Sequence, residues 1–354
     1  MNESNINSKK SITQNIKNFK IYLNERFPLG KNSFFVLIFT LSGYIYTGLL
    51  YNSKIITPIL SKEVNRVSLL WDKEIDKVPM IWYKLLPLFI IIFMFFFQLR
   101  ITDEFKDYEE DLKYRSYRPV QRGIISLKTL GKTGIVTVII QIMLAHVIDP
   151  EIIYFMIFVW IYMFLMAKEF FIKKWLTKRI LIYALSHVVI MVFITLFIVE
   201  ATQYIVPKNI FDVFILQRYR HNIDFALIPL FALNYLNGIV LEIGRKTRRA
   251  DEEEHGVQTY SKLWGRKKAV VVLSLLFVIE YFFVILGLAH TYEKYFLFSG
   301  LTLLVILIVS IYFMIKFLKK NLSGKIVETV SGLWIIFSSV SLGLLPHFFF
   351  SLIK

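Results

Sequence analysis

Long apolar runs alternate with short polar segments along almost the whole chain. The apolar runs are Phe34–Leu50, Tyr83–Ile101, Leu130–Ile148, Ile152–Met166, Ile180–Gln203, Phe225–Ile243, Ala269–His290, Tyr295–Phe317 and Ile326–Leu352. A helix needs roughly 20 mostly apolar residues to cross the hydrocarbon of a bilayer, and several runs reach that length. The pattern predicts an all-α membrane protein, a single bundle of about nine transmembrane helices. Asp149 and Pro150 leave only a tight turn between the third and fourth runs, which predicts an antiparallel helical hairpin there. Ahead of the first run, Ile12, Ile16, Phe19 and Leu23 recur at helical spacing with Lys17 and Lys20 between them. That spacing suits a short helix lying in the membrane interface, with a disordered basic tail as the alternative. The expected division is a basic N-terminal segment over 1–33 and one membrane domain over 34–354. There is no repeat of fixed short period.

Composition supports the membrane reading. The 354 residues are 56% hydrophobic and 16% aromatic, with a mean hydropathy of +0.57, whereas soluble domains run at about 45–50% apolar. No cysteine is present, so thiol nucleophiles, disulfides and cysteine-ligated metals are excluded, while the compartment stays open. The first residues are polar and basic, unlike a cleavable signal peptide.

The net charge of +16 invites a nucleic-acid reading, but the distribution of charge argues against it. With nine spans, roughly 30 of the 42 Lys and Arg fall on the side of the N-terminus, and roughly 11 on the other, about half of these in the loop Asn52–Trp82. The positive-inside rule then places the N-terminus in the cytoplasm of an integral multi-pass protein, expected in the plasma membrane of a bacterium. The expected partners are membrane lipid and hydrophobic small molecules, with no nucleic acid.

Two loops on the expected cytoplasmic face mix acids with bases. After the second run come Asp103, Asp107 and Asp111, spaced i, i+4, i+8, with Glu104 beside them. On one helix this spacing lines three carboxylates along a single face. Like charges at i, i+4 repel, and a cation would relieve the repulsion. Magnesium suits such a site, since it takes oxygen ligands, keeps waters and bridges carboxylates to phosphates. Arg115, Arg118 and Arg122 follow, and arginine pairs with phosphate through a planar fork. Pro119 is expected to end the helix at or before Arg118. The loop after the sixth run combines Glu242, Asp251, Glu252 and Glu253 with Arg245, Lys246, Arg248 and Arg249. Two such loops on one face would close over a polyanion. The plainer alternative is a solvated mixed-charge helix and a loop obeying the positive-inside rule.

These residues also carry a family resemblance. The chain resembles the UbiA-type intramembrane prenyltransferases, whose first signature is Asn-Asp-x-x-Asp-x-x-x-Asp followed by Arg-Pro and a glycine. Here the run reads Asp103-Glu104-x-x-Asp107-x-x-x-Asp111, then Arg118-Pro119 and Gly123. A later family stretch, Gly-Ile-x-Ser/Thr-x-x-x-x-x-Gly, matches Gly256-Val-Gln-Thr259-Tyr-Ser-Lys-Leu-Trp-Gly265. One departure is clear. Where the family places aspartates eight and four residues before that first glycine, this chain has Arg248 and Glu252.

The resemblance implies a bundle around a central cavity, capped by the polar loops and open sideways to lipid. It implies magnesium-dependent transfer of a prenyl group from an isoprenoid pyrophosphate to an aromatic or lipid-like acceptor. Asp103, Glu104, Asp107, Glu242 and Glu252 would be the metal residues. Arg118, Arg122, Arg245, Lys246 and Tyr260 would bind the pyrophosphate, and Asp107 and Asp111 would act in catalysis. Most aromatics, Phe93, Phe95, Phe96 and Phe97 among them, are expected to be packing. His187 and His255 lack metal-like spacing. The rivals are a transporter and a non-catalytic lipid-binding relative. A transporter would be expected to bind near the midplane, where acids are scarce apart from Glu200 and Glu280, and Pro229 is the clearest interruption of a span. The phosphatidyl-alcohol transferase run Asp-Gly-x-x-Ala-Arg is absent.

Overall fold

Hydrocarbon offers no water to backbone N–H and C=O groups, so a chain with such runs satisfies them internally, as helices. A computed structural model, which describes residues 3–63, 80–205, 212–291, 296–320 and 322–352, shows only helical elements among them. Nine of its helices are long and apolar enough to cross a membrane: Leu29–Leu50, Trp82–Lys106, Leu127–Ile148, Pro150–Ala167, Ile180–Ile205, Phe225–Arg245, Arg266–Thr291, Phe296–Lys320 and Lys325–Phe348. Each contains most of one expected run. The helix of the first span continues to Glu63, into the segment expected as the loop Asn52–Trp82. The rest of that loop up to residue 79 lies outside the described residues, as does Tyr295, the expected start of the eighth span.

The first span packs against the second, fifth, sixth and ninth, and the seventh and eighth complete the side formed by the sixth and ninth. The third span packs on the second, and the fourth on the fifth and the second, the two being joined by the expected tight turn. Asp149 makes that turn, the side chain accepting a hydrogen bond from Glu151 N at 2.9 Å just where Pro150 starts the next helix. Buried polar groups stitch the spans. Gln98 Nε2 donates to Gln141 Oε1 at 2.7 Å and to Thr137 Oγ1 at 2.9 Å, and Trp160 Nε1 donates to Gln98 Oε1 at 3.2 Å. Spans two, three and four are thereby tied in a medium where the alternative is an unsatisfied amide. Glu280 and Trp334 join spans seven and nine in the same way. In the ninth span a π-helical turn, Val340–Leu344, brings Gly343 so close to the first span that a Cβ would stand 2.5 Å from the carbonyl oxygen of Ser42.

The N-terminal segment is a helix, Glu3–Arg26. Its inner stripe is Phe19, Tyr22 and Leu23, with Phe27 just beyond the helix. Phe27 meets Phe93 and Phe97 with ring centroids 5.3 and 5.2 Å apart, and Phe19 meets Phe97 at 6.4 Å. Ile16 points outward, and the side chain of Ile12 lies outside the description. The helix is therefore docked on the second span as well as suited to an interface. Phe95 and Phe96 pack likewise, against Phe197 and Trp160 and against Phe35 and Phe39.

Candidate active site

The carboxylates of the first loop do not share one helix face. The second span's helix ends at Lys106, Asp107 leaves helical geometry at φ −95°, ψ 5°, and a separate short helix runs Tyr108–Tyr114. That helix stops at Tyr114, well before Pro119, with Arg115 at φ −138°. Asp111 is buried by Arg115, at 3.1 Å, and by Arg118. In this structure Asp111 ties Arg115 and Arg118 together within the loop and is far less exposed than Asp103. The same pair uses Arg118, whose guanidinium is pulled below its usual range by burial and by the nearby charge of Arg26. Arg122 is turned to Glu25, with bonds of 2.6 and 2.7 Å. Glu104 also has a partner within the protein. Its side chain is 0% exposed and paired with Arg26 at 2.6 Å, facing the N-terminal helix.

Two acids of the run remain available. Asp103 is 39% exposed and only loosely paired, 3.5 Å from Arg100 and 3.7 Å from Lys106. Asp107 is half-buried and makes no hydrogen bond or ion pair through its side chain with any described residue. Burial pushes its carboxyl up to about 6; Lys106 opposes the rise, and the negative charges of Asp103, Asp111 and Glu110 add to it.

The second loop begins as the sixth span ends at Arg245. Glu242 accepts bonds from Arg245 and Lys246, both at 2.7 Å. Tyr260 donates its backbone N–H to the carbonyl of Lys246 at 2.9 Å. Its ring is buried and its hydroxyl unpartnered, with Glu242 and Arg245 as its electrostatic neighbours. Thr259 caps the short helix Tyr260–Trp264 and donates to Glu253 at 2.6 Å, as does Ser261. Glu252 is engaged by backbone N–H groups. It accepts from the backbone N–H of Gly324 at 2.8 Å and of Arg249 at 3.2 Å, tying the loop to the entry of the ninth span. Burial works to raise its carboxyl, but the bonds from Ser323, Gly324 and Arg249 outweigh it and hold the group below the usual range. Arg248, standing where an acid was expected, pairs with Glu254 at 3.5 Å.

The two loops do meet. Arg115 lies 3.6 Å from Glu254, bridging them. Gly256, at φ +78°, sits against Tyr114 so closely that a Cβ would stand 2.5 Å from the ring, a backbone state and an approach that suit glycine alone. Asp103 and Arg245 feel each other's charge across the gap. Asp103 and Asp107 from the first loop and Glu242, Arg245, Lys246 and Tyr260 from the second thus lie at the same loop end of the bundle, here called the mouth.

Among the described residues no three His, Asp or Glu side chains converge into a ready-made metal cage. Asp103 and Asp107 still fit a magnesium ion that draws its remaining ligands from phosphate and water, as magnesium ordinarily does. The partnerless Asp107 carboxylate and the orphaned Tyr260 hydroxyl are the kind of groups a bound polyanion and its cation would engage.

Several residues at the mouth escaped the sequence reading. Arg26 and Glu25 lie far from their partners in sequence. Glu254 sat among acids already assigned. Lys106 stood in plain view between Asp103 and Asp107. Glu169 gave no signal at all.

Residues 76–323 match the model of the UbiA prenyltransferase family. Two solved structures share the fold. One, from a study of digeranylgeranylglyceryl phosphate synthase in membranes, is 19% identical at a TM-score of 0.52, covering 92% of this chain and 98% of that one. The other, the apo structure of a UbiA homolog from Aeropyrum pernix K1, is 12% identical at a TM-score of 0.55, covering 86% and 96%. No curated protein matches the chain.

Proposed function

The chain belongs to the UbiA prenyltransferase family, and on that premise we propose that it transfers a prenyl group from an isoprenoid diphosphate to an aromatic or lipid-like acceptor inside the membrane, with magnesium. The observation that carries the reading is the set of groups that the two loops bring to one end of the bundle. Asp107, whose carboxylate has no partner among the described residues, lies beside the loosely held Asp103, and the Glu242, Arg245 and Lys246 cluster stands at the same end of the bundle.

In this reading Asp103 and Asp107 hold magnesium, which when bound neutralises charge developing on the departing diphosphate. Arg245 and Lys246 bind diphosphate oxygens, and Glu242 keeps both cations oriented until the donor arrives. Tyr260 offers its free hydroxyl from beneath them. Arg118 and Arg122 act indirectly, holding the loop through Asp111 and Glu25. The prenyl chain lies among the apolar spans, where the exclusion of water protects a cation-like transition state. The N-terminus lies on the cytoplasmic side, in keeping with the excess of Lys and Arg on that face.

The test is a titration of the detergent-purified protein with geranylgeranyl diphosphate, with and without magnesium, following binding and pyrophosphate release, repeated on Asp107→Asn. Magnesium-dependent binding that the substitution removes is expected. Binding that survives it would move the ion to the second loop. Folded protein that binds no donor under any condition would overturn the reading.

A further inference from the structure

Lys106 occupies a position that the mechanism above leaves unused. It follows Asp103 by three residues and precedes Asp107 by one, on the last turn of the second span, and its side chain is only 10% exposed. The ammonium donates to the hydroxyl of Tyr183 at 2.8 Å. It lies 3.7 Å from Asp103 Oδ1 and 4.0 Å from Glu169 Oε1, and 5.3 Å from the centre of the Tyr183 ring.

The surroundings of this lysine are built from two other elements. Glu169 comes from the connection between the fourth and fifth spans and is itself buried. Tyr183 donates to its Oε1 at 3.2 Å, and His187 Nε2 stands 3.4 Å from its Oε2. His187 stacks on Tyr183 with ring centroids 4.0 Å apart, its Nδ1 2.8 Å from the Tyr183 carbonyl oxygen. The backbone that delivers Glu169 is unusual. Glu169, Phe170 and Phe171 stand at φ 49°, 52° and 60°, three successive non-glycine residues in the left-handed region. Such conformations persist where the surroundings over-determine them, and they gather at ligand clamps.

Charge accounts for what the cluster is for. Two carboxylates cancel a divalent ion, so the diphosphate must be answered by fixed cations. Arg245 and Lys246 are already shared with Glu242. An ammonium has three N–H donors. Tyr183 takes one, while Asp103 and Glu169 stand beyond hydrogen-bonding distance, so donors remain for a phosphate oxygen.

We propose that Lys106 is a donor-binding residue, a fixed ammonium that contacts the diphosphate beside Asp103 and Asp107, and that Glu169, Tyr183 and His187 are its positioning residues. The proposal rests on the prenyl-transfer reading. Glu169 and Tyr183 keep the ammonium aimed when Asp103 turns to a metal ion, and the strained turn fixes where Glu169 stands.

The experiment measures, on the full-length protein in detergent, the affinity for inorganic pyrophosphate and for geranylgeranyl diphosphate, together with Mn²⁺ affinity by electron paramagnetic resonance and thermal stability. Lys106→Gln should weaken both diphosphates at least tenfold while Mn²⁺ binds as well as or better than in the unaltered protein. Lys106→Arg should recover most of the loss. Glu169→Gly relieves the backbone, so its Tm should hold or rise while diphosphate affinity falls several-fold. Unchanged diphosphate affinity in Lys106→Gln, against magnesium-dependent donor binding by the unaltered protein, overturns the role of Lys106 and leaves the prenyl-transfer reading standing. Unchanged affinity in Glu169→Gly overturns the positioning role. Folded, unaltered protein that binds neither diphosphate removes both readings together.

Discussion

Arg26→Met tests whether Glu104 anchors the N-terminal helix. The carboxylate of Glu104 is fully buried, its Oε1 held by Arg26 at 2.6 Å and its Oε2 without a partner. Removing the guanidinium strands a buried charge. Breaking a buried ion pair from one side costs about 3–5 kcal/mol. Arg26 is itself nearly buried but sits close to the membrane end, where water reaches the vacated site, so about 3 kcal/mol is expected. Replacing the pair by apolar groups, Arg26→Met with Glu104→Leu, removes the stranded charge and should recover at least about 1 kcal/mol, since contacting residues commonly couple by about 0.5–3 kcal/mol. Reversible denaturation in mixed micelles measures the two single variants, Arg26→Met and Glu104→Leu, and the double. A double variant whose loss equals the sum of the single losses would refute the anchoring argument. The same double variant should keep magnesium-dependent donor binding. Its loss from a folded protein would return Glu104 to the metal site.

Other substitutions probe the mouth itself. Asp107→Asn should weaken magnesium-dependent donor binding at least about tenfold, or about 1.4 kcal/mol, in the titration already described. Because burial lifts the Asp107 carboxyl to about 6, above its unfolded value, ionisation destabilises the metal-free protein: the cost is absent below the unfolded pKa, grows as pH rises and is complete above about 6. Asp107→Asn should therefore raise the Tm of metal-free protein at pH 7 and lose that advantage near pH 4, which thermal scans at the two pH values would detect; magnesium affinity of the unaltered protein should fall as pH drops through 6. Gly256→Ala forces a Cβ against Tyr114 at positive φ, and should cost about 1–3 kcal/mol and weaken donor binding with it, both read on one preparation. Gln141→Leu leaves Gln98 short of a partner between the second and third spans and should cost about 1–2 kcal/mol by the same denaturation assay without changing magnesium dependence.

The spans were legible because hydrocarbon demands one element type and one minimum length, and the runs state both. The tight turn at Asp149 and Pro150 was legible for a similar reason, since side-chain capping and a fixed proline φ act within a few residues. The two acidic loops and their meeting followed from composition on one face. What remained hidden depends on partners distant in sequence. The spacing Asp103, Asp107, Asp111 is that of a continuous helix, and nothing local announces that Arg115 and Arg118 pull Asp111 out of line. Glu104 has the same neighbours in sequence as a metal ligand would, and nothing local announces its pair with Arg26, supplied by a separate helix. The left-handed turn at Glu169 carries no glycine or asparagine, so the residues that usually mark positive φ are missing.

The N-terminal helix has a consequence for synthesis. Its inner face and its two acid–base ties are completed only by residues 93–122 of the second span and first loop. At translation rates of about 5–20 residues per second, the helix waits roughly 5–20 s for that surface to leave the ribosome. During the wait Phe19, Tyr22 and Phe27 need cover, and a lipid surface suits them, since amphipathic helices with Lys on the polar face lie in the interface. The segment thus reaches its place in the bundle only after the second span and first loop have emerged, and that order decides when the loop bearing Asp107 can take its final shape.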